Sequence, residues 1–250
     1  MRTYDFGSPF PEELNRQVTS KIARLHFAPT SQSKQNLLNE GFTDSSITIT
    51  GNTVIDALKW VLENLAELDI EFPFDLIQSR TILVTVHRRE NFGGRFQQIC
   101  EALRTIAKQK PDLQIVFPVH LNPNVRDPAN RLLSNLPNIH LIEPLEYQQF
   151  VYLMNQSSLI LTDSGGLQEE APSLGKPVLV MRNTTERPEA IEAGTVKLVG
   201  TDKKKVVEET MWLLNNSEAY QKMAYAHNPY GDGSASEKIT RALLNHQKLT

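Results

Sequence analysis

The segment that decides the fold is residues 159–181, whose sequence is LILTDSGGLQEEAPSLGKPVLVM. The apolar run Leu159–Thr162 predicts a buried strand, and the Ser-Gly-Gly sequence after it predicts a turn. A helix-forming stretch then covers Gly166–Leu174, and Val178–Met181 predicts a second buried strand. This order of strand, turn, helix and strand is typical of a parallel sheet covered by helices.

The same alternation of short β-rich runs and longer helical runs continues along the chain. From residue 80 onward, the predicted strands are Thr81–Val86, Gln114–Val119, Ile139–Ile142, Leu159–Thr162, Val178–Met181 and Val196–Val199. The predicted helices are Phe96–Gln109, Gln148–Asn155, Gly166–Leu174, Lys204–Leu214 and Glu237–Gln247. Six strands in regular βα units predict a complete doubly wound, Rossmann-like parallel sheet in residues 80–250.

The first 70 residues do not supply a complete sheet of their own. Their predicted elements are a helix from about Pro11 to Arg24, a strand near residues 26–28, a helix over Ser31–Asn39, a strand over Ile47–Thr50 and a helix over Val54–Leu68. We therefore predict that residues 1–70 are the remnant of an N-terminal Rossmann-like domain and that residues 71–79 are a linker. The predicted fold class is α/β, with one complete doubly wound domain and the tail of a second.

Composition excludes several classes of protein. The 26 Lys and Arg residues are balanced by 29 Asp and Glu residues, and no basic stripe with interleaved aromatic residues is visible, so a nucleic-acid partner is not expected. A single cysteine, Cys100, cannot form an intrachain disulfide, which suits a reducing compartment. No run approaches the roughly 18 apolar residues of a membrane span, and the start lacks the apolar core of a signal peptide. We expect a cytoplasmic protein with no membrane partner.

The Ser164-Gly165-Gly166 turn is a candidate phosphate site. Two glycines allow the backbone to approach an anion closely, and the first turn of the following helix directs N–H groups toward it. Glu169 and Glu170 follow about one helical turn later, where a carboxylate can reach the hydroxyls of a ribose. The alternative is a structural βα turn with Ser164 as the helix N-cap, and the Ser-Gly-Gly sequence alone leaves both readings open.

Two other predicted strands end in polar residues that include a histidine and an arginine. His87 and Arg88 follow the strand at Thr81–Val86, and His120 follows the strand at Gln114–Val119. Ligands of open α/β sheets lie at the carboxyl ends of the strands, so these side chains are candidates for binding or acid–base chemistry. The alternative is a solvated loop. A metal at His87 and Glu90 is a weaker alternative, because no third ligand type clusters with them.

Two further pairs of residues have a functional and a structural reading. Arg187 carries a planar guanidinium that suits a diphosphate, while the same segment also fits a helix start with Thr185 as its cap. Glu12 and Arg16 lie four residues apart at a helix start, where on their own they predict only a modest surface ion pair.

Taken together, these motifs resemble the non-hydrolysing UDP-N-acetylglucosamine 2-epimerases. The residues that carry the resemblance are Arg2-Thr3, Pro11-Glu12-Glu13 with Asn15-Arg16, Gly51–Asp56, His87–Glu90, Pro118–Pro123, Thr162–Gly166 with Gln168–Glu170, Thr185–Glu189 and Asn228–Gly233. The resemblance implies a GT-B-like fold and an isomerase of polysaccharide biosynthesis that interconverts UDP-N-acetylglucosamine and UDP-N-acetylmannosamine. The implied reaction is anti elimination of UDP to 2-acetamidoglucal followed by re-addition, with no cofactor and no metal.

The resemblance also implies roles for individual residues. Those for UDP are Ser164, Gly165 and Gly166 at the phosphates, Glu170 at the ribose hydroxyls, Arg187 at the diphosphate and Phe150 beside the uracil. The positions that match catalytic ones are Glu12, Arg16 and His87. Arg88 and His120 match positions at which some bacterial members bind a second UDP-N-acetylglucosamine as an activator.

Members of the resembled family are longer at the N-terminus. Their first nucleotide-fold domain supplies an arginine, a lysine, an aspartate and a glutamate that have no counterpart in the 250 residues. We therefore expect a chain equivalent to the C-terminal two thirds of such an enzyme, nearly inactive by itself, and a homodimer when full length. Two alternatives remain open, a GT-B-type UDP-sugar glycosyltransferase and a non-catalytic UDP-binding fragment.

Overall fold

A computed structural model describes residues 2–7, 10–65, 72 and 80–247 of the chain. Its strands are β1 (His26–Ala28), β2 (Ile47–Ile49), β3 (Arg80–Thr85), β4 (Leu113–Pro118), β5 (Ile139–Ile142), β6 (Leu159–Thr162), β7 (Val178–Val180) and β8 (Val196–Leu198). Its helices are α1 (Glu12–Ile22), α2 (Ser31–Asn39), α3 (Thr53–Glu63), α4 (Gly94–Gln109), α5 (Pro123–Leu133), α6 (Tyr147–Gln156), α7 (Leu167–Glu170), α8 (Pro188–Glu192), α9 (Lys203–Asn215), α10 (Ser217–Ala224) and α11 (Ala235–Gln247).

The chain divides into two compact units. The first unit comprises Met1–Asp56 and Pro229–Thr250, and the second comprises Ala57–Asn228. The division assigns α11 to the first unit, whereas the sequence analysis had assigned it to the C-terminal domain. The boundaries predicted at residues 70 and 80 stay a prediction, because most of the predicted linker lies outside the described residues.

The second unit is built on a six-stranded sheet with the order β5-β4-β3-β6-β7-β8, in which every pair is parallel. Its central strands are buried on both faces, and Ile82–Val84 in β3 and Leu159–Leu161 in β6 have no exposed surface. Consecutive apolar residues are what such strands require, since helices cover both sides. The complete doubly wound sheet predicted from residue 80 onward is therefore confirmed.

The strand order places a topological switch point between β3 and β6. From β3 the chain proceeds outward through β4 and β5, and from β6 it proceeds outward on the other side through β7 and β8. Thr85 is in register with Thr162, so the carboxyl ends of the two central strands lie level with each other. The crevice at such a point is where open α/β sheets bind ligands.

Helix prediction was less complete than strand prediction. The sequence pattern did not predict α5 or α10, and it indicated α8 only as the structural alternative for the Arg187 segment. Helix α5 carries Pro123 in its first turn and Pro128 in its interior. Proline usually interrupts a helical pattern, so the apolar face of α5 did not show in the sequence. The single helix predicted over Gly166–Leu174 is a four-residue α-helix followed by a 3-10 turn at Ala171–Leu174, because Pro172 has no N–H to continue the α-helical bonds.

The first unit contains a two-stranded parallel sheet, β1 paired with β2, with a small core of Ala28, Leu37 and Ile47. Asp56 accepts hydrogen bonds from the backbone N–H groups of Ala235 (3.1 Å) and Ser236 (2.7 Å), which satisfies the start of α11. Two strands are fewer than a sheet normally needs for stability by itself. Across both units, none of the helices described is long and apolar enough to cross a membrane.

Candidate functional site

A buried carboxylate organises the switch point of the second unit. Asp163 follows β6 directly and has no exposed surface. It accepts hydrogen bonds from the backbone N–H of His87 (3.1 Å to each oxygen), the backbone N–H of Arg88 (2.9 Å) and the side-chain amide of Asn91 (3.0 Å). These bonds hold the loop after β3 against the end of β6. We call these four residues the Asp163 cluster; the sequence analysis quoted Asp163 within its motif but gave it no role.

His87 and His120, which follow the neighbouring strands β3 and β4, lie near each other. Their ring centroids are 6.4 Å apart. Nδ1 of His87 lies 3.2 Å from Oδ1 of Asp163, and the His87 side chain is 40% exposed. Burial lowers the pKa of His87, Asp163 raises it, and Arg88, His120 and Arg182 lower it. The net effect is a pKa below the usual value, so His87 is mainly neutral at pH 7 and able to accept a proton.

Arg88 lies beside the Ser-Gly-Gly turn. Its Nη2 is 3.4 Å from the point at which a side chain on Gly165 would place its Cβ. Its Nε is buried without a hydrogen-bond partner among the described residues. A guanidinium with an unused donor beside a glycine turn is suited to an anion.

The Ser-Gly-Gly turn is anchored to its surroundings by hydrogen bonds on both sides. The N–H of Ser164 donates to Oγ1 of Thr162 (2.9 Å), which lies 2.6 Å from Oγ1 of Thr85. The amide of Gln168 donates to the carbonyl of Ser164 (3.0 Å). The proposed N-cap role of Ser164 is wrong: the residue before α7 is Gly166, and no side chain caps the helix. Gly166 is exposed, so the turn is accessible from solvent.

The two glutamates after the turn have different partners. Glu169 forms an ion pair with Nε of Arg187, whereas Oε1 of Glu170 accepts a hydrogen bond from the hydroxyl of Tyr147 (2.8 Å). Oε2 of Glu170 lies beside the turn, 3.8 Å from the Cβ position of Gly166. Burial raises the pKa of Glu170. The sequence analysis missed Tyr147, whose only signal is its position one turn before Phe150 in α6.

Arg187 immediately precedes α8. Its side chain makes no capping bond, and its backbone N–H donates to Oγ1 of Thr185 (3.1 Å). Thr185 is therefore not the N-cap that the structural reading of this segment expected. Arg187 remains 32% exposed on its side chain although it pairs with Glu169. An arginine in that position can exchange its carboxylate partner for a phosphate.

Glu90 is engaged in an arginine network. The nearly buried Arg182 donates to Glu90 (2.5 Å) and to both oxygens of Glu186 (2.7 and 2.9 Å). The Arg182 guanidinium holds the pKa of Glu186 at about 2. In the described parts of the chain, no three His, Cys, Asp or Glu side chains are grouped as metal ligands would be.

Glu12 and Arg16 belong to the first unit, and they do not form the predicted ion pair. Arg16 donates instead to Glu13 (2.8 and 2.9 Å) and to Glu40 (3.0 Å), while Glu12 is exposed. Glu13 has no exposed surface and also accepts from the backbone N–H of Tyr4 (3.1 Å) and from Gln17 (2.8 Å). Its bond with Arg16 lowers its pKa to about 2. We call Tyr4, Glu13, Arg16, Gln17 and Glu40 the Glu13 cluster.

The remaining predicted positions lie on two elements of the second unit. Phe150 is half-buried in α6. His120 is exposed after β4, and its Nδ1 accepts from the backbone N–H of Asn122 (3.1 Å). Asn122 in turn caps α5 by accepting from the N–H of Asn124 (2.9 Å). The structure therefore gathers His87, Arg88, His120, the Ser-Gly-Gly turn and Glu170 at the carboxyl ends of the strands.

Comparison with known proteins agrees with this geometry. The sequence model of the family described as UDP-N-acetylglucosamine 2-epimerase matches residues 1–244. The UDP-N-acetylglucosamine 2-epimerase of Escherichia coli K12 is 58% identical over 254 residues, which cover 99% of this chain and 68% of the relative.

Two solved structures are similar to the chain at high coverage. A UDP-GlcNAc 2-epimerase from Neisseria meningitidis bound to UDP-GlcNAc is 52% identical with a TM-score of 0.89, covering 98% of this chain and 67% of the other. The complex of MnaA from S. aureus with UDP is 44% identical with a TM-score of 0.89, covering 100% of this chain and 68% of the other. The chain therefore spans about two thirds of the length of these proteins.

Proposed function

Because the chain belongs to the UDP-N-acetylglucosamine 2-epimerase family, whose members are isomerases, we propose that it binds UDP-N-acetylglucosamine and carries residues that interconvert it with UDP-N-acetylmannosamine. The observation that carries the proposal is the group of side chains at the switch point. Arg88 and Glu170 lie beside the glycine turn, and Arg187 pairs with Glu169 in the helix that follows it. His87, whose lowered pKa favours the neutral form, is bonded through its backbone to Asp163, the residue before the turn.

The proposed UDP anchors surround the Ser-Gly-Gly turn. Gly165 and Gly166 let the phosphates approach the backbone, and Arg187 supplies a partly exposed guanidinium for the diphosphate. Glu170, whose second oxygen faces the turn, is suited to accept hydrogen bonds from the ribose hydroxyls. Phe150 is proposed to lie beside the uracil.

The proposed reaction breaks and remakes bonds at C1 and C2 of the sugar. Loss of the C2 proton and of the C1–oxygen bond to UDP leaves a C1–C2 double bond, and UDP departs with the bonding pair. Re-addition of UDP to C1 and of a proton to the other face of C2 gives the epimer. Each proton transfer needs a positioned acid or base. We propose His87 and Glu12 for such roles, Arg16 as a catalytic residue that remains a cation, and Arg88 and His120 for an activator site.

The test is to incubate the purified chain with UDP-N-acetylglucosamine in deuterated water. Reversible loss of the C2 proton introduces deuterium at C2, which proton NMR and mass spectrometry detect even when little epimer accumulates. Because the 250 residues are expected to be nearly inactive by themselves, deuterium at C2 and UDP-N-acetylmannosamine should form far more slowly than with a full-length member of the family, and without any added acceptor. His87→Gln is the matched control for chemistry that depends on the site.

Two other outcomes would identify the alternatives left open by the sequence. UDP binding by calorimetry without deuterium exchange would favour a non-catalytic UDP-binding protein, and it would agree with the low activity expected for the 250 residues. Release of UDP that requires an added sugar acceptor would favour a glycosyltransferase.

The setting of the proposed reaction is also part of the proposal. We propose a cytoplasmic protein that assembles as a homodimer when full length, without a nucleic-acid partner. The single buried Cys100 and the balanced charge support the cytoplasmic location and the absence of nucleic acid, respectively. Sedimentation of the full-length relative tests the dimer.

A further inference from the structure

The bonds to Asp163 are distributed unevenly between its two oxygens. Oδ2 accepts from the backbone N–H of His87, the backbone N–H of Arg88 and the amide of Asn91. Oδ1 accepts from the backbone N–H of His87 and faces Nδ1 of the same residue at 3.2 Å. The donors on Oδ2 fix the orientation of the carboxylate, and that orientation presents Oδ1 to the imidazole ring.

A neutral imidazole carries one N–H and one lone pair, and its surroundings decide which nitrogen has the proton. A lone pair on Nδ1 would face the lone pairs of a buried carboxylate oxygen 3.2 Å away. An N–H at Nδ1 carries a partial positive charge and is attracted by the same oxygen. The proton therefore belongs on Nδ1, and the lone pair belongs on Nε2.

We propose that Asp163 is a positioning residue that fixes His87 as the Nδ1–H tautomer and leaves Nε2 as the ring atom that meets the substrate. The tautomer of His87 does not depend on the proposed function. Only the role of Nε2 toward a bound substrate rests on the proposed function. His120, Arg88 and Arg182 also face the His87 ring, and all three disfavour a second proton on it. Asp163 is the neighbour with a negative charge among the groups that influence His87, so it is the one that orders the ring's N–H.

The effect of Asp163→Asn on the His87 tautomer can be predicted, because an amide has only one acceptor atom. Three donors converge on the Oδ2 position, so the amide oxygen must occupy it, and the NH₂ group then takes the place of Oδ1. An NH₂ group facing Nδ1 requires a lone pair there. The variant should therefore switch His87 to the Nε2–H tautomer, and the lost negative charge should lower the pKa of His87.

The experiment is ¹⁵N NMR of the histidine rings of the chain, in which His87 is identified by the signal that His87→Gln removes. At a pH above the pKa of His87, we expect Nδ1–H in the wild type and Nε2–H in Asp163→Asn. A wild-type His87 that is mainly Nε2–H would overturn the proposal without any variant, so the test stands even where Asp163→Asn fails to fold. An unchanged tautomer in a folded Asp163→Asn would also overturn it.

Asn91→Ala is the control for a purely structural role of the cluster. It removes a donor from Oδ2 but leaves Oδ1 facing the ring, so the His87 tautomer should not change. A switch in this variant would show that loop order, and not the carboxylate, sets the tautomer. UDP titration of the same samples separates the two proposals, since a wild type that does not bind UDP refutes the proposed function and leaves the tautomer result standing.

Discussion

Both units contain a fully buried carboxylate next to proposed catalytic residues, yet the two carboxylates are satisfied in different ways. In the Glu13 cluster, most donors are side chains, and Arg16 is held between Glu13 and Glu40. In the Asp163 cluster, the donors are mainly backbone N–H groups. Backbone donors leave the side chains of His87 and Arg88 available for a ligand, whereas the guanidinium of Arg16 is already bonded to Glu13 and Glu40.

The contrast has an electrostatic consequence. Arg16 lowers the pKa of the Glu13 carboxyl to about 2, and Glu40 is paired with both Arg16 and Arg2, so the charges around Glu13 are engaged with one another. Among the residues that the structure describes, no lysine or arginine side chain is bonded to Asp163, and its charge instead acts on the ring of His87. A carboxylate held by the backbone is therefore the better support for a titrating group.

The largest expected effect is the loss of stability when the backbone-held carboxylate is removed. Asp163→Ala leaves the N–H groups of His87 and Arg88 and the amide of Asn91 without their acceptor in a buried site. We expect a loss of about 3–5 kcal/mol in the free energy of unfolding of the second unit. Hydrogen exchange with mass spectrometry should show lost protection in β3 and β6. A loss below about 1 kcal/mol would mean that water replaces the carboxylate and that the cluster is not closed to solvent.

The next effect concerns ligand binding at the side chains that the second unit leaves available. Glu170→Ala and Arg187→Ala should each weaken UDP binding by about 1.5–3 kcal/mol, since each removes a charge-assisted contact. Titration calorimetry measures the change. Arg104→Ala is a matched control, because Arg104 is exposed in the second half of α4. Equal UDP affinity in all three variants would refute the assignment of the anchors.

A smaller effect is expected in the first unit. Glu13→Gln keeps the shape of the side chain but loses the charge that Arg16 pairs with, and Glu40 still compensates Arg16. We expect a loss of about 1–2 kcal/mol in the free energy of unfolding of that unit. Hydrogen exchange in β1 and β2 measures this loss.

The pH dependence of the first unit tests the same ion pair. The pKa of Glu13 in the folded chain, about 2, lies below the usual glutamate value of 4.5, so its contribution to stability is present above pH 4.5 and is lost as the pH falls toward 2. Glu13→Gln should remove that dependence. A variant with the same pH profile as the wild type would show that Glu13 is not the titrating group.

The sequence predicted the sheet better than it predicted the clusters, because strands depend on neighbouring residues whereas the clusters join residues that are far apart in the chain. A buried strand is encoded by a short local run of mostly apolar residues, so β5 and β6 were predicted with their observed limits. Asp163 meets its partners at His87 and Asn91 across more than 70 residues of chain. The sequence offered Glu12 and Glu13 as adjacent glutamates, and which of them is buried depends on which face of α1 packs inward. In the structure Arg16 bonds to Glu13 and not to the predicted partner Glu12.

The smallest expected effect is on UDP affinity when Tyr147 is changed. Tyr147 is a side-chain donor to a carboxylate of the second unit, so it tests there the kind of contact that holds Glu13 in the first unit. Its hydroxyl donates to Glu170 and so lowers the pKa of that carboxyl, while the dominant cause, burial, raises it. Protonation of Glu170 removes the acceptor for the ribose, so UDP affinity should fall as the pH drops through the raised pKa. Tyr147→Phe removes a hydrogen bond made by a tyrosine that is 40% exposed, and it reaches UDP only through Glu170, so its effect on binding should be about 0.5–1.5 kcal/mol, below the range for a direct contact with a charge. We therefore expect UDP binding at pH 7 to weaken by roughly tenfold or less, and the midpoint of its pH profile to move upward. Calorimetry between pH 4.5 and 8 measures both, and a midpoint that moves downward would show that the tyrosine does not stabilise the charged form of Glu170.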